Sequence, residues 1–164
     1  MKKIRLIEEE DLLDRYKAIT NPEINKWLLL PNASFARTKS WFKKVIENPN
    51  RRDFIGLDND NKIGFSGITN ISYKDKSAEL YIFLSSKEFF SRGLGSWLLN
   101  EVIQYGFKEL GITRYYTKVA EKNIQSEKFF LKNGFYKEGL LQKSIWYYGE
   151  FQNIILLAKL HENR

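Results

Sequence analysis

The residue types best suited to holding an anion lie in the segment Lys87-Glu-Phe-Phe-Ser-Arg-Gly-Leu-Gly95. Glycines at 93 and 95 follow an apolar run that ends at Leu84 and precede a second run, Ser96-Trp97-Leu98-Leu99. A glycine turn between strand and helix lets main-chain N–H groups approach a phosphate, and the helix N-terminus adds free donors and partial positive charge. Arg92 and Lys87 could add full charges. The turn is not a P-loop, since no Gly-Lys-Ser/Thr follows. It is not the dinucleotide fingerprint either, because Leu98 stands where the third glycine belongs. Alone, it reads equally as a pyrophosphate cradle or as a tight strand-to-helix turn.

Two further groups could do chemistry. Glu79 and Tyr81 lie two apart in Ala78-Glu-Leu-Tyr-Ile-Phe-Leu84, so on a strand they share a face. There Glu79 is either a base toward a cleft or a surface residue. The segment from Asn123 to Asn133, ending in Gly134-Phe135, is by itself an amphipathic helix, N-capped by Asn123 and stopped by a glycine.

Composition removes other chemistries. The 164 residues hold no cysteine and one histidine, His161. Disulfides, thiolate nucleophiles and Cys-ligated zinc are excluded, and a histidine-based triad or metal site is disfavoured, so no metal site is expected. His161 is expected to be an ordinary residue of a poorly ordered tail. Hydrophobic residues at 43% and charged residues at 29% describe a folded globular chain rather than a disordered one. No apolar run approaches the ~20 residues of a membrane span, and the start, Met1-Lys-Lys-Ile-Arg5, lacks a secretory signal's apolar stretch. The expectation is a cytoplasmic protein without a membrane partner. The net charge of +7 favours acidic partners, but the basic residues are scattered in short pairs such as Lys43-Lys44 and Arg51-Arg52.

The elements that must position these residues can be read in order. Short strands are expected over 4–7, 52–57, 62–71 and 77–84, with a turn at Asp58-Asn59-Asp60-Asn61 closing a hairpin. Helices are expected over 10–19, from Asn21-Pro22 through Trp27, and over 35–47. Pro22, Pro31 and Pro49 punctuate this first third. A long helix over 91–110 closes at Gly111, a strand follows over 113–119, then the helix from Asn123, then strands over 135–140 and 150–160. No repeat or linker divides the chain, which reads as a single domain over 1–164. The fold class is α/β (α+β): a mixed, mostly antiparallel sheet of about seven strands with helices on both faces.

The pairing of Arg92-Gly93-Leu94-Gly95-Ser96 with the helix Asn123 to Phe135 resembles the GNAT superfamily of acetyl-CoA-dependent N-acetyltransferases. The resemblance covers nearly the whole chain. Within it, the strand at 78–83 and the ending at 147–160, from Tyr147-Tyr148-Gly149-Glu150 to Leu160, look like the branch of ribosomal-protein N-terminal, polyamine and amino-sugar acetyltransferases. It implies a GNAT fold with acetyl-CoA as co-substrate. Main-chain groups of Ile82, Phe83 and Leu84 should pair with the pantetheine arm as an added strand would. N–H groups of Phe90, Ser91, Arg92, Gly93, Leu94, Gly95 and Ser96 should hold the pyrophosphate. Asn123, Ser126 and Phe130 should border the cofactor, Asn123 as amide donor or plain N-cap. Two positions depart from the family: Phe90 stands where Gln or Arg is common. Phe130 stands where many relatives have a tyrosine that protonates the leaving thiolate. Ser126, Tyr115, Tyr116 and Tyr136 are candidate substitutes, and unaided departure is open because a thiol pKa near ~8.5 makes the thiolate a tolerable leaving group.

The implied mechanism is direct transfer, with Glu79 as base, directly or through water, Tyr81 beside it, and a strand N–H stabilising the oxyanion. Trp27, Trp146, Tyr147 and Tyr148 fall in segments that border the acceptor in relatives, or simply pack. A chain at +7 should repel polyamines, which tips the expected acceptor toward a small amine such as a nucleotide-linked amino sugar. A protein N-terminus is the alternative. A non-catalytic acyl-CoA sensor, favoured only by Phe130, and a nucleic-acid-binding module, favoured by charge and aromatics, are the other classes. No specific nucleic-acid motif is present, and the assembly expected is a monomer or homodimer.

Overall fold

The computed structural model describes residues 1–28, 30 and 32–161. Pro31 and the last three residues lie outside them. Seven strands among the described residues form one sheet: β1 (Lys2–Leu6), β2 (Arg52–Asp58), β3 (Asn61–Ser72), β4 (Ser77–Leu84), β5 (Arg114–Ala120), β6 (Tyr136–Tyr147) and β7 (Glu150–Leu160), in the order β1-β2-β3-β4-β5-β7-β6. Five helices accompany them: α1 (Leu12–Thr20), α2 (Pro22–Asn25), α3 (Phe35–Ile46), α4 (Leu94–Leu110) and α5 (Ile124–Lys132). Every strand pair is antiparallel except β4 with β5.

Two apolar layers hold the sheet. On one face Ile68, Leu80, Tyr115 and Leu157 pack with Leu98, Leu99 and Val102 of α4 and Phe130 of α5. On the other, Ile55, Phe65 and Phe83 pack against Leu12, Ala18 and Ile19 of α1, with Trp41 and Phe42 of α3 beside them. Strand alternation assigns the faces: Leu80 and Ile82 go to the α4 layer, and Tyr81 and Phe83 to the α1–α3 layer. Helices therefore cover both faces, as the sequence predicts.

Local signals explain the ends. Asn21 caps α2 by accepting from the Glu23 N–H, with Pro22 in the first turn, and Ser34 caps α3 through the Arg37 N–H. Gly111 and Gly134 take left-handed φ values of +67° and +84° and end α4 and α5.

Several expectations need correction. The helix placed at 91–110 starts at Leu94, because Ser91 and Gly93 are left-handed, at φ +58° and +73°, and cannot lie in a right-handed helix. The helix expected from Glu10 opens with a 3-10 turn over Glu9–Asp11. The strand expected to stop at Leu140 runs to Tyr147, where Tyr148-Gly149 supplies a two-residue hairpin turn with both φ values positive. The polar run Gln142-Lys143-Ser144 hides this extension by breaking the alternation, and it coincides with an irregular register between Leu141 and Ile145. His161 is ordered, not frayed: its ring stacks on Phe107 at 3.7 Å, and its N–H donates to the Thr113 carbonyl at 2.7 Å.

Candidate active site

The sheet opens where its one parallel pair ends. β4 and β5 are in register only at Ser77↔Arg114, Ala78↔Tyr115 and Glu79↔Tyr116. Beyond Glu79 the strands part, while β5 goes on pairing with β7 as far as Ala120↔Ile154. A side chain spans the first gap: Thr117 Oγ1 donates to the Leu80 carbonyl at 2.9 Å. The Tyr81 carbonyl instead accepts from Ser66 Oγ on β3 at 2.8 Å. Main-chain groups alternate sides along a strand. Leu80 facing β5 therefore turns the N–H and C=O of Ile82 and the N–H of Leu84 toward the opening, where no strand pairs with them. Phe83, expected among the pantetheine-binding groups, turns its main chain toward Phe65 of β3.

The helix α4 begins at the same end of β4. Its first helical bond runs from the Trp97 N–H to the Gly93 carbonyl at 3.0 Å, which leaves the N–H groups of Leu94, Gly95 and Ser96 without helical acceptors. No acidic residue lies in the first turn, so nothing there opposes an anion. The Phe90 N–H is already spent on the Lys87 carbonyl at 2.9 Å. Lys87 itself pairs with Glu23 at 2.9 Å. Gly95 lies close under the Phe129 ring: a Cβ there would meet Phe129 Cε2 at 3.2 Å, tight enough that the ring would have to shift by a few tenths of an ångström. That contact brings α5 against the start of α4. At the head of α5, Asn123 is an N-cap, its Oδ1 accepting from the Ser126 N–H at 3.2 Å and its Nδ2 donating to Ser126 Oγ at 2.8 Å. Phe130 is 5% exposed and sits edge-on between Phe129 and Phe135, in the core rather than presented to the opening.

Glu79 occupies the last rung before the strands part. Its carboxylate accepts from Asn70 Nδ2 at 2.7 Å and lies 3.7 Å from Lys118 Nζ, with the side chain 19% exposed. Burial, and next the charge of Glu79, push the neighbouring Tyr116 phenol up. Tyr81 shares the face of Glu79. Its ring lies over Gly67, where a Cβ would come within 2.2 Å of Tyr81 Cε1, and its hydroxyl donates to Asp53 Oδ1. Arg51 clamps the same carboxylate through Nε at 2.7 Å and Nη2 at 2.8 Å. Burial above all, then the Asp53 charge, push the Tyr81 phenol far above its ordinary value, so it keeps its proton.

Of the other tyrosines, Tyr115 is fully buried under α4, its hydroxyl spent on the Ile103 carbonyl at 2.9 Å. Tyr136 is exposed at the start of β6. Trp146, Tyr147 and Tyr148 line a cleft of about 560 Å³ with Thr20, Asn25, Asn32 and Ala33; Trp27 is half-buried beside Lys26. Sequence reasoning missed Asp53, Arg51, Gly67 and Arg15. None belongs to a motif, and only the fold brings them to Tyr81.

Comparison with known proteins agrees with this geometry. The family model "Acetyltransferase (GNAT) domain" matches residues 3–136. A spermidine N(1)-acetyltransferase of Escherichia coli strain K12 is 26% identical over 157 residues, covering 95% of this chain and 84% of that protein. A spermidine N(1)-acetyltransferase of Vibrio cholerae is 28% identical, covering 92% and 88%. The crystal structure of the Vibrio cholerae spermidine N-acetyltransferase with CoA and spermine superposes with a TM-score of 0.89 at 26% identity, covering 98% of this chain and 95% of that one.

Proposed function

The chain belongs to the GNAT acetyltransferase family, and from that premise we propose that it transfers the acetyl group of acetyl-CoA directly to the primary amine of a small acceptor, with Glu79 as the base. One observation carries the reading: the unpaired edge of Ile82 and Leu84 runs from the carboxylate of Glu79 to the donor-rich start of α4. The residues present fit the co-substrate. The strand edge matches an amide-bearing arm, and the N–H groups of Leu94, Gly95 and Ser96, with Ser91, Arg92 and Gly93 before them, match a pyrophosphate.

Acetyl-CoA supplies an activated acyl thioester. Glu79 takes the proton from the incoming ammonium, held in place by Asn70 and Lys118. The Ile82 N–H is the donor available for the acyl oxygen. Ser126, at the head of α5, is the hydroxyl we assign to the leaving sulfur in place of the absent tyrosine, since Phe130 carries no proton. We assign Tyr81 to the floor of the acceptor side, because Asp53 holds its proton.

For the acceptor, we take the cleft lined by Trp146, Tyr147 and Tyr148, which has no carboxylate in its wall among the described residues. Together with the net charge of +7, this supports a phosphorylated small amine, such as a nucleotide-linked amino sugar, over a polycation. The spermidine-acetylating relatives favour spermidine as the second reading. For assembly we take the homodimer over the monomer, supported by Leu140, Leu141 and Trp146 exposed along β6; light scattering decides.

The test has two parts. Ser96→Asp puts a negative charge in the first turn of α4, which the helix tolerates and a pyrophosphate does not. Calorimetry should show CoA binding weakened at least ~10-fold with the fold intact; unchanged affinity would remove the loop from the site. Turnover is then compared on a nucleotide-linked amino sugar, spermidine and an N-terminal peptide. Activity confined to the peptide or to spermidine would overturn the acceptor assignment.

A further inference from the structure

Between α1, α3 and the sheet lies a cation that acetyl transfer does not use. Arg15 is 7% exposed, and its Nε is buried without a hydrogen-bond partner. Its guanidinium is stacked 3.9 Å from the centre of the Trp41 ring and 5.3 Å from that of Phe83. Arg51 approaches Trp41 as well, at 5.5 Å, but Arg51 and Asp53 neutralise each other, and Tyr81 takes Asp53's remaining attention. Of the three charges gathered here, two cancel. Arg15 has no ion pair among the described residues.

A buried, unpaired charge is a costly feature to keep. A guanidinium packed against two rings, with its Nε unspent, is pre-arranged for a planar or tetrahedral oxyanion, because its fork is already oriented. The location fits a substrate. Phe83 and Tyr81 stack with centroids 6.0 Å apart and lead along one face of β4 toward Glu79. At ~3.3 Å per residue, the four residues from Glu79 to Phe83 span roughly 13 Å.

We propose that Arg15 seats an oxyanion, a carboxylate or a phosphate, carried by the acceptor, whose amine meets Glu79 at the other end of that row. This rests on the acetyltransferase reading and narrows it. The acceptor is an amine with an anionic group at the far end, of the size of a sugar phosphate. A polycation has no partner at this seat.

The experiment separates the two claims. The protein is first saturated with CoA, so that the Gly93–Gly95 loop is filled. Inorganic phosphate and glutarate are then titrated separately into wild type, Arg15→Met and Arg15→Lys. The expected result is binding of at least one oxyanion to wild type, weakened at least tenfold in Arg15→Met and partly restored in Arg15→Lys. Which titrant binds tells phosphate from carboxylate. In turnover, glucosamine 6-phosphate should exceed glucosamine in kcat/KM by at least tenfold, and that ratio should collapse in Arg15→Met. Wild type binding neither oxyanion, or Arg15→Met binding as well as wild type, overturns the proposal. Should Arg15→Met not fold, the weakened affinity of Arg15→Lys decides alone. Failure of wild type to take up CoA would count against the acetyltransferase site instead, and the oxyanion titration run without CoA would still judge Arg15.

Discussion

Replacing Glu79 by Gln removes the proposed base and little else. The two side chains are isosteric, and the amide oxygen of Gln can still accept from Asn70, which lies 2.7 Å from the carboxylate. The lost contact is the pair with Lys118 at 3.7 Å, whose lysine side chain is 50% exposed. Such a pair contributes under about 1 kcal/mol, or about 2–4 °C of melting temperature for a chain of this size. The chemical loss is larger. General-base assistance contributes typically ~10²–10⁴-fold, equivalent to about 3–5 kcal/mol of barrier. On an acceptor with a lysine-like amine, pKa near ~10, only about one part in a thousand is free at pH 7. On an amino sugar, nearer the ~7.7–8.0 of an α-amine, the free fraction is about a tenth and the gap narrows accordingly. The variant must rely on that fraction, so its rate should rise about tenfold per pH unit up to the amine pKa. Wild type should rise far less. Thiol release followed with a chromogenic disulfide, from pH 7 to 10, should show a gap near ~10³ at neutral pH that closes toward pH 10. Calorimetric CoA affinity should be unchanged. A loss smaller than about threefold at pH 7, or a ratio that does not move with pH, would refute the assignment of Glu79.

Three further substitutions probe the surrounding structure. Gly67→Ala would place a methyl 2.2 Å from Tyr81 Cε1 and push the ring off Asp53; overpacking and the lost charge-assisted bond together cost about 2–5 kcal/mol in urea unfolding, and stability within about 1 kcal/mol of wild type would contradict the packing. Ser126→Ala should lower kcat about tenfold while leaving CoA affinity within about threefold; an unchanged kcat would mean that the thiolate departs without Ser126. Asp11 carries a pH signature. Burial pushes its carboxyl up, but Arg5 at 2.6 Å, the Glu8 N–H and Lys62 outweigh burial and hold it below the usual carboxylate range. A lowered folded pKa gives stability that is complete above the unfolded value near ~3.9 and is lost as pH falls through the folded one. Asp11→Asn should therefore cost about 1–3 kcal/mol at neutral pH, discounted because Arg5 and Lys62 are about a quarter exposed. The gap to wild type should shrink by pH 3, and a gap that is the same at both pH values would contradict the sign.

Legibility followed the range of the interactions. Ser77–Leu84 and Glu150–Leu160 have the bounds expected from alternation and turn residues, because those signals are local. The start of α4 was misplaced by three residues, since the left-handed Ser91 is not a glycine and leaves no mark in the sequence. The glycine turn and the Asn123 helix could be read together as a cofactor motif because their spacing is carried by one continuous stretch of chain. The proposed acceptor side could not. Asp53 comes from β2, Gly67 from β3, Tyr81 from β4 and Arg15 from α1, and only register brings them together: Asp53↔Gly67 and Gly67↔Tyr81 are consecutive rungs of one row. A glycine in the middle of β3 reads as a weak point of a strand, yet it is the space in which the Tyr81 ring lies.

The same register would let cofactor and acceptor meet at one place, as proposed. A parallel pair requires a crossover, and here the crossover is α4, which leaves β4 at its C-terminal end and returns the chain to the start of β5. The helix N-terminus is thereby placed at the end of β4 where the β5 ladder has already stopped. The unpaired edge and the unpaired N–H groups are two consequences of one connection. With odd residues of β4 facing α1–α3 and even residues facing α4, the opening also joins the two faces of the sheet. On the proposed reading, an arm lying along Ile82 and Leu84 from the α4 side would end beside Glu79, whose side chain belongs to the other face. Closing the opening by even one more β4–β5 rung would remove the Ile82 donor and separate the two substrates by the thickness of the sheet, which is why the ladder must end at Glu79 for the transfer to be direct.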